Sequence, residues 1–120
     1  MGLEPRRLAV RLPRMDYVSE LGAAIRRLHH CEASHTRTER VKCEGRGRVF
    51  WDGRVEVFAL LGHPDALRCY AWGDPDAGGG WIVTTVLAIP PVISAETAVL
   101  AALAARMREL DSESGPEVQD

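Results

Sequence analysis

The sequence predicts an α+β protein, a two-layer sandwich in which an antiparallel sheet of four to five strands carries an N-terminal and a C-terminal helix on one face. Near each end of the chain, apolar residues recur at spacings of three and four, which is typical of an amphipathic helix. Across the middle they alternate with a period of two, which is typical of strands. Short turn-forming segments separate these strands, and connections this short require antiparallel pairing.

Residues 1–14 are predicted to form an N-terminal arm, followed by a single α+β domain over residues 15–110. Leu8, Val10 and Leu12 alternate with arginine and alanine, which indicates a short strand that Pro13 ends. The first helix is predicted to begin after Asp16, because aspartate is a favoured N-cap. It is expected to end near residues 29–32, and four residues form its apolar face: Tyr17, Leu21, Ile25 and Leu28.

Strand patterns take over from residue 34 to residue 89. A polar edge strand is predicted over residues 35–43, and further strands over residues 55–61, 67–72 and 81–89. Asp52-Gly53 favours a tight hairpin turn, because both residues tolerate the positive φ angles that such turns need. Pro90 and Pro91 end the last strand, since neither can donate a hydrogen bond to a neighbouring strand.

The second helix is predicted to begin after Ser94 and to run to about Leu110. Its buried stripe is expected to consist of four large side chains: Leu100, Leu103, Met107 and Leu110. The remaining residues, 111–120, are acidic and contain a Gly-Pro pair, so we expect a disordered tail.

Length and composition limit the classes of protein to consider. The 120 residues suffice for one hydrophobic core, and a net charge of −2 argues against nucleic-acid binding by bulk electrostatics. Three cysteines without close spacing predict a reducing compartment, the cytoplasm. The sequence has no run of roughly 18 apolar residues, so no membrane association is expected.

Both faces of the predicted sheet carry large apolar side chains, whereas two helices on one face leave the other uncovered. Phe58, Leu60, Tyr70 and Trp72 are predicted to lie at the centre of the uncovered face. The leading hypothesis is therefore a small non-enzymatic binding or accessory domain that forms a homodimer, or binds a protein partner, through these residues. A ligand cavity, or coverage by the arm or the glycine-rich loop at residues 73–80, stays open as an alternative.

A cluster of histidines and cysteine supplies a second hypothesis, a zinc-binding protein or a small metal-dependent enzyme. His30, Cys31, His35 and His63 are its candidate ligands, because zinc prefers imidazole and thiolate. Against this, the sequence lacks the short Cys or His pairs of zinc motifs, and Cys31 falls on a predicted core face. No cofactor other than zinc is suggested, and whether the chain is an enzyme stays open.

Glu56 lies in the middle of an apolar strand, where a carboxylate is unusual. It is a candidate for acid–base chemistry. The favoured interpretation is a cross-strand pair with an arginine such as Arg48 or Arg68.

Basic residues on the predicted edge strand supply a third hypothesis, an RNA-binding module: Arg37, Arg40, Lys42, Arg46 and Arg48. The helix–strands–helix order resembles the double-stranded RNA-binding domain in outline. That family opens its last helix with a lysine cluster, whereas this chain has Ser94-Ala95-Glu96-Thr97 there. The edge cluster is also explained as a solvated strand edge that resists aggregation.

Overall fold

The computed structural model describes residues 4–11 and 16–114, with the last three described by backbone alone. Its antiparallel sheet has five strands in the order β1-β5-β4-β3-β2, and two helices pack against it, so the predicted α+β class is confirmed. The elements are β1 Arg6–Val10, α1 Tyr17–His29, β2 Glu32–Gly45, β3 Arg48–Leu61, β4 Arg68–Pro75, β5 Trp81–Leu87 and α2 Ala95–Ser114.

Part of the predicted arm belongs to the sheet. Residues 6–10 form β1, an edge strand that pairs with β5 and places Leu8 opposite Val83. The rest of the expected arm lies partly outside the described residues, as do residues 115–120 of the expected tail. At the other end, α2 continues to Ser114 instead of ending near Leu110.

The first helix begins where its cap predicts. The Asp16 side chain accepts a hydrogen bond from the Ser19 backbone N–H at 2.9 Å, which satisfies one of the unpaired donors of the first turn. His30 ends α1 in the left-handed conformation, with φ of 55°.

The two helices lie on opposite faces of the sheet, which corrects the prediction that they share one face. Leu21 and Ile25 of α1 pack with Phe58 on one side. Ala98 and Val99 of α2 pack in a separate cluster on the other side. Two buried faces require apolar residues at nearly every position of the central strands, and this explains the pattern that the sequence shows.

Arg46-Gly47, rather than Asp52-Gly53, forms the hairpin turn between β2 and β3. Gly45 pairs with Arg48, so the loop has two residues, and both have positive φ angles, 53° and 76°. Such a loop matches the twist of paired strands. Asp52 and Gly53 lie inside β3 instead, opposite Lys42 and Val41 of β2.

Three of the four large side chains predicted to form the buried stripe of α2 are exposed: Leu100 at 41%, Met107 at 66% and Leu110 at 47%. Leu103 is half-buried and packs against the core cluster under this helix. The residues of α2 that are almost fully buried against the sheet are small, Ala95 and Ala98 with Val99. We call the three exposed residues the outer stripe of α2.

Separate helix contacts on the two faces predict that core truncations on opposite sides act independently. Ile25→Ala and Val99→Ala are each expected to lower the free energy of unfolding by about 2 kcal/mol or more, because each leaves a cavity under its helix. In urea unfolding of the double variant, the two losses should add to within about 0.5 kcal/mol. A coupling well above that value would contradict the separation of the two clusters.

Candidate functional site

The sheet divides between its two central strands. β3 pairs with β4 only over Glu56–Ala59, opposite Ala71 down to Arg68. Beyond Glu56, β3 stays paired with β2, and beyond Ala71, β4 stays paired with β5. The β2–β3 hairpin therefore separates from β4, and a cleft of about 580 Å³ lies where the two strand pairs part.

Tyr17 provides a hydrogen-bond acceptor for the backbone of β4 where its pairing with β3 ends. Continuing the register would place Arg54 opposite Gly73. Instead, the Gly73 N–H donates a hydrogen bond to the Tyr17 hydroxyl oxygen at 2.9 Å. Burial raises the pKa of this phenol, and the carboxylates of Glu56 and Asp74 raise it further against the opposing Gly73 hydrogen bond. The first residue of α1 thus takes over the hydrogen bond that β3 leaves unmade.

All three tryptophans of the chain line the cleft, together with Tyr17. Trp51 and Trp72 meet edge to face, with their ring centroids 5.7 Å apart. Tyr17 and Trp81 form a second such pair at 6.2 Å. Two aromatic pairs thus form walls of the cleft, an arrangement that sequence reasoning missed because the three indoles lie far apart along the chain.

Two glycines allow these rings to lie against the backbone. A Cβ atom on Gly53 would lie 3.0 Å from the Trp51 ring, and one on Gly73 would lie 3.3 Å from the Tyr17 ring. Both distances are too short for an unhindered side chain. The glycine of the Asp52-Gly53 dipeptide therefore makes room for an aromatic ring instead of forming a turn.

Glu56 lies on the floor of the cleft and is only 4% exposed. Its Oε1 atom contacts His35 Nε2 at 2.8 Å and accepts a hydrogen bond from the Thr38 hydroxyl. Its partners are these β2 residues and not an arginine such as Arg48 or Arg68, as the favoured interpretation expected. No fully buried side-chain polar atom in the described parts of the chain lacks a partner. Neither contact uses Oε2.

Three further charged side chains line the cleft in different states. Asp52 forms an ion pair with Arg40 at 2.9 Å. Asp74 is exposed in part and has no hydrogen bond or ion pair to any described residue, and its partial burial raises the pKa of its carboxyl group. Arg54 is exposed and forms no ion pair with the described acids.

The arrangement suits binding better than bond-breaking chemistry. His35 and Thr38 both contact Oε1 of Glu56, which fixes the position of the carboxylate. Four aromatic side chains line the same cleft. Pockets of this kind, with apolar walls and a few fixed polar groups, are the usual form of a small-molecule site.

The four residues predicted as a sheet-face interface do not lie together. Phe58 and Leu60 pack under α1, whereas Tyr70 and Trp72 pack under α2. All four are at most 8% exposed, so the chain's own helices cover them. The prediction placed Phe58 and Tyr70 on one face, but Val57 rather than Phe58 lies opposite Tyr70. Since neighbouring residues of a strand point to opposite faces, Phe58 and Tyr70 are on different sides of the sheet. Only Trp72 also borders the cleft.

The structure does not bring the predicted zinc ligands together. His35 contacts Glu56, and Nδ1 of His63 accepts hydrogen bonds from the backbone N–H groups of Asp65 and Ala66. His30 caps α1, while Cys31 is buried in the core beneath that helix, where burial raises the pKa of its thiol. Over residues 4–11 and 16–111, no group of three or more metal-binding side chains is found.

His29, which is not among the four candidate zinc ligands, has a perturbed imidazole. It is half-buried at the end of α1, and its Nε2 lies 2.8 Å from the Thr85 hydroxyl. Burial, with added repulsion from Arg6, His63 and His30, lowers the pKa of the ring from 6.5 to about 4. It is therefore neutral in the folded protein near neutral pH.

The basic residues of the edge strand are largely paired with acids beside them. Arg37 pairs with Glu39, and Lys42 pairs with Glu44. Arg40 is engaged by Asp52 as described above. These ion pairs leave little uncompensated positive charge along β2, so the strand offers a poor phosphate-binding surface.

Comparison with protein-family models, with curated proteins and with solved structures found no match. Neither helix, over the residues that the structure describes, has the length and apolar character needed to cross a membrane. The geometry of the cleft is therefore the basis for inferring a function.

Replacing Tyr17 with phenylalanine tests whether its hydroxyl stabilises β4 by accepting the Gly73 hydrogen bond. Tyr17→Phe is expected to lower the free energy of unfolding by about 1–2 kcal/mol, because the Gly73 N–H loses its acceptor. Hydrogen exchange of the Gly73 amide should accelerate in the variant. The amide of Tyr70, within the paired part of β4, serves as the internal control. Equal acceleration at both amides would contradict this local role.

The low pKa of His29 predicts a loss of stability in mild acid. Below pH 6.5 the unfolded chain takes up a proton that the folded ring does not bind until about pH 4. Stability should thus be full above pH 6.5 and fall between pH 6.5 and 4 by about 1–2 kcal/mol, a value reduced for partial exposure. His29→Gln should flatten urea-unfolding stability in this window. An unchanged slope in that variant would rule out His29 as the cause.

Proposed function

We propose that the protein is a small non-enzymatic binding domain whose ligand occupies the cleft between β3 and β4. The observation that carries this proposal is the buried Glu56 carboxylate, held by two side chains and lying on the floor of an aromatic-lined cleft. A carboxylate costs free energy to bury, so a fixed one facing a cleft is a typical feature of a binding site.

The size and composition of the cleft support the same proposal. About 580 Å³ falls within the range of small-molecule sites. Tyr17, Trp51, Trp72 and Trp81 supply apolar contact area at low conformational cost, since aromatic side chains have few rotatable bonds. An ordinary gap between diverging strands needs neither this concentration of rings nor a buried acid.

The indole N–H groups provide a direct test of ligand binding. Addition of a mixed set of small neutral, anionic and cationic compounds should shift the three tryptophan indole signals in ¹H–¹⁵N spectra, because all three rings line the cleft. Trp51→Ala should weaken binding by about tenfold, the effect expected for losing one aromatic wall. Phe50→Ala, an exposed ring next to it on β3, should leave binding unchanged.

If no compound of the set shifts the indole signals of the folded protein, ligand binding at this cleft fails. Shifts confined to backbone amides far from the cleft would likewise contradict ligand binding at the cleft.

The exposed outer stripe of α2 supports a second function, self-association into a homodimer. Leu100, Met107 and Leu110 are separated by seven and three residues, which matches positions of a coiled-coil seam. Ala95, Ala98 and Val99 of the same helix already pack against the sheet, so α2 carries apolar residues toward the sheet and toward solvent. A second copy of the chain offers the matching seam, whereas the apolar residues of α1 are already buried against the other face of the sheet.

Light scattering tests this second proposal. The wild-type chain should have the mass of a dimer, and Met107→Glu should have the mass of a monomer, because the charge would be buried at the centre of the seam. Leu67→Glu introduces the same charge at another exposed apolar residue and should remain dimeric. A wild-type monomer, or a dimer that persists in Met107→Glu, would contradict association through the outer stripe.

A further inference from the structure

We infer that the ligand of the cleft is a small organic cation, such as a quaternary ammonium compound, bound between aromatic faces and carboxylates. This inference rests on the proposed binding function and specifies its ligand class. It follows from the charge of the lining, from the kind of rings that form the walls and from the state of the acids.

Acidic groups outnumber basic groups in the cleft. Asp52, Glu56 and Asp74 line it, whereas Arg54 is the only lining residue among the described ones with a positive side chain. Asp52 is neutralised by Arg40. Glu56 and Asp74 remain, since neither contact of Glu56 uses Oε2 and Asp74 has no partner among the described residues. A cation in the cleft would be attracted by both acids.

The aromatic walls favour the same charge. Indole is the ring that attracts cations most strongly through its face, and phenol follows. Trp51 with Trp72 and Tyr17 with Trp81 form two ring pairs around the carboxylates. An anion would be repelled by the two acids, and a neutral ligand would leave Asp74 without a partner among the described residues.

Arg54 allows the charge of the ligand to be tested, because it lies in the same cleft and carries the same charge as the proposed ligand. It forms no ion pair with Glu56 or Asp74 in the described structure, so its flexible side chain leaves the acids available. A bound cation is repelled by this guanidinium. Removing the positive charge of Arg54 should therefore tighten cation binding, whereas it would weaken binding of a ligand that uses Arg54 as an anion partner.

Choline and its neutral carbon analogue, 3,3-dimethyl-1-butanol, are matched probes, since they share size and shape and differ in charge. In titrations followed by tryptophan fluorescence and by the indole NMR signals, choline should bind at least about tenfold more tightly. Rising salt concentration should weaken choline binding and leave the neutral probe unaffected.

Four variants test the residues. Glu56→Gln should weaken choline binding by about tenfold and Asp74→Asn by about threefold, because each removes one attractive charge. Arg54→Gln should tighten choline binding by about threefold. Asp65→Asn, an exposed acid in the turn before β4, should have no effect. Asp74 is on the surface, so its variant keeps the test valid even if Glu56→Gln fails to fold.

The outcomes separate the ligand class from the binding function. Equal affinity for choline and its neutral analogue would overturn the cation assignment and leave the cleft as a binding site. Weaker choline binding in Arg54→Gln would also overturn the cation assignment while leaving the cleft as a binding site. The same holds for indole shifts that the mixed compound set produces and choline does not. If neither choline nor any compound of that set moves the indole signals, both the ligand class and the binding function fail.

Discussion

The early end of the pairing between β3 and β4 is the constraint on which the site depends. Only four residue pairs join these strands, although each continues well beyond the last pair. Strands that separate leave backbone N–H and C=O groups without partners, and those groups must be satisfied or solvated. Tyr17 accepts the hydrogen bond of Gly73, and the rest of the opening becomes the cleft. A fully zipped sheet would place Arg54 opposite Gly73 and leave no such space.

The opposite placement of the two helices makes this opening stable. The paired part of the sheet is buried on both faces, by Leu21 and Ile25 of α1 and by Ala98 and Val99 of α2. Two clusters anchor the strands where they are joined, so the hairpin separates from a fixed point at Glu56. The position of α1 also brings Tyr17 to the end of the pairing, which connects the fold directly to the site.

Local sequence patterns predicted the helices and strands well. The errors concern contacts between segments that are distant in the sequence. The Asp16 cap, the helical spacing of α1 and the alternation within the strands are properties of neighbouring residues, and they led to the right class. Which face a helix covers depends on packing between distant segments. In α2, size misled the prediction, because Leu100 and Met107 resemble core residues, whereas alanines permit the closest approach to the sheet.

The site was visible in the sequence only in part. Glu56 stood out because a carboxylate interrupts an apolar strand, but its partners on β2 depend on register and not on spacing. The tryptophans come together because β3, β4 and β5 are neighbours in the sheet. One local signal was available: Trp51 and Trp72 each have a glycine and an aspartate directly after them, Asp52-Gly53 and Gly73-Asp74. In a strand, such glycines indicate close approach to the backbone as well as turns.

Departures from good folding rules distinguish the cleft from the rest of the molecule. Replacing a buried polar pair with apolar residues of similar volume is often neutral or stabilising, so stability alone does not require Glu56 with His35 inside the sheet. The ion pairs on β2 and the small residues under α2 have structural explanations in solvation and packing. Glu56 and Asp74 have no such explanation, since Asp74 lacks a partner among the described residues, and both acids line the cleft. Positions that a fold does not need are expected at functional or strained sites, and here they gather around one opening.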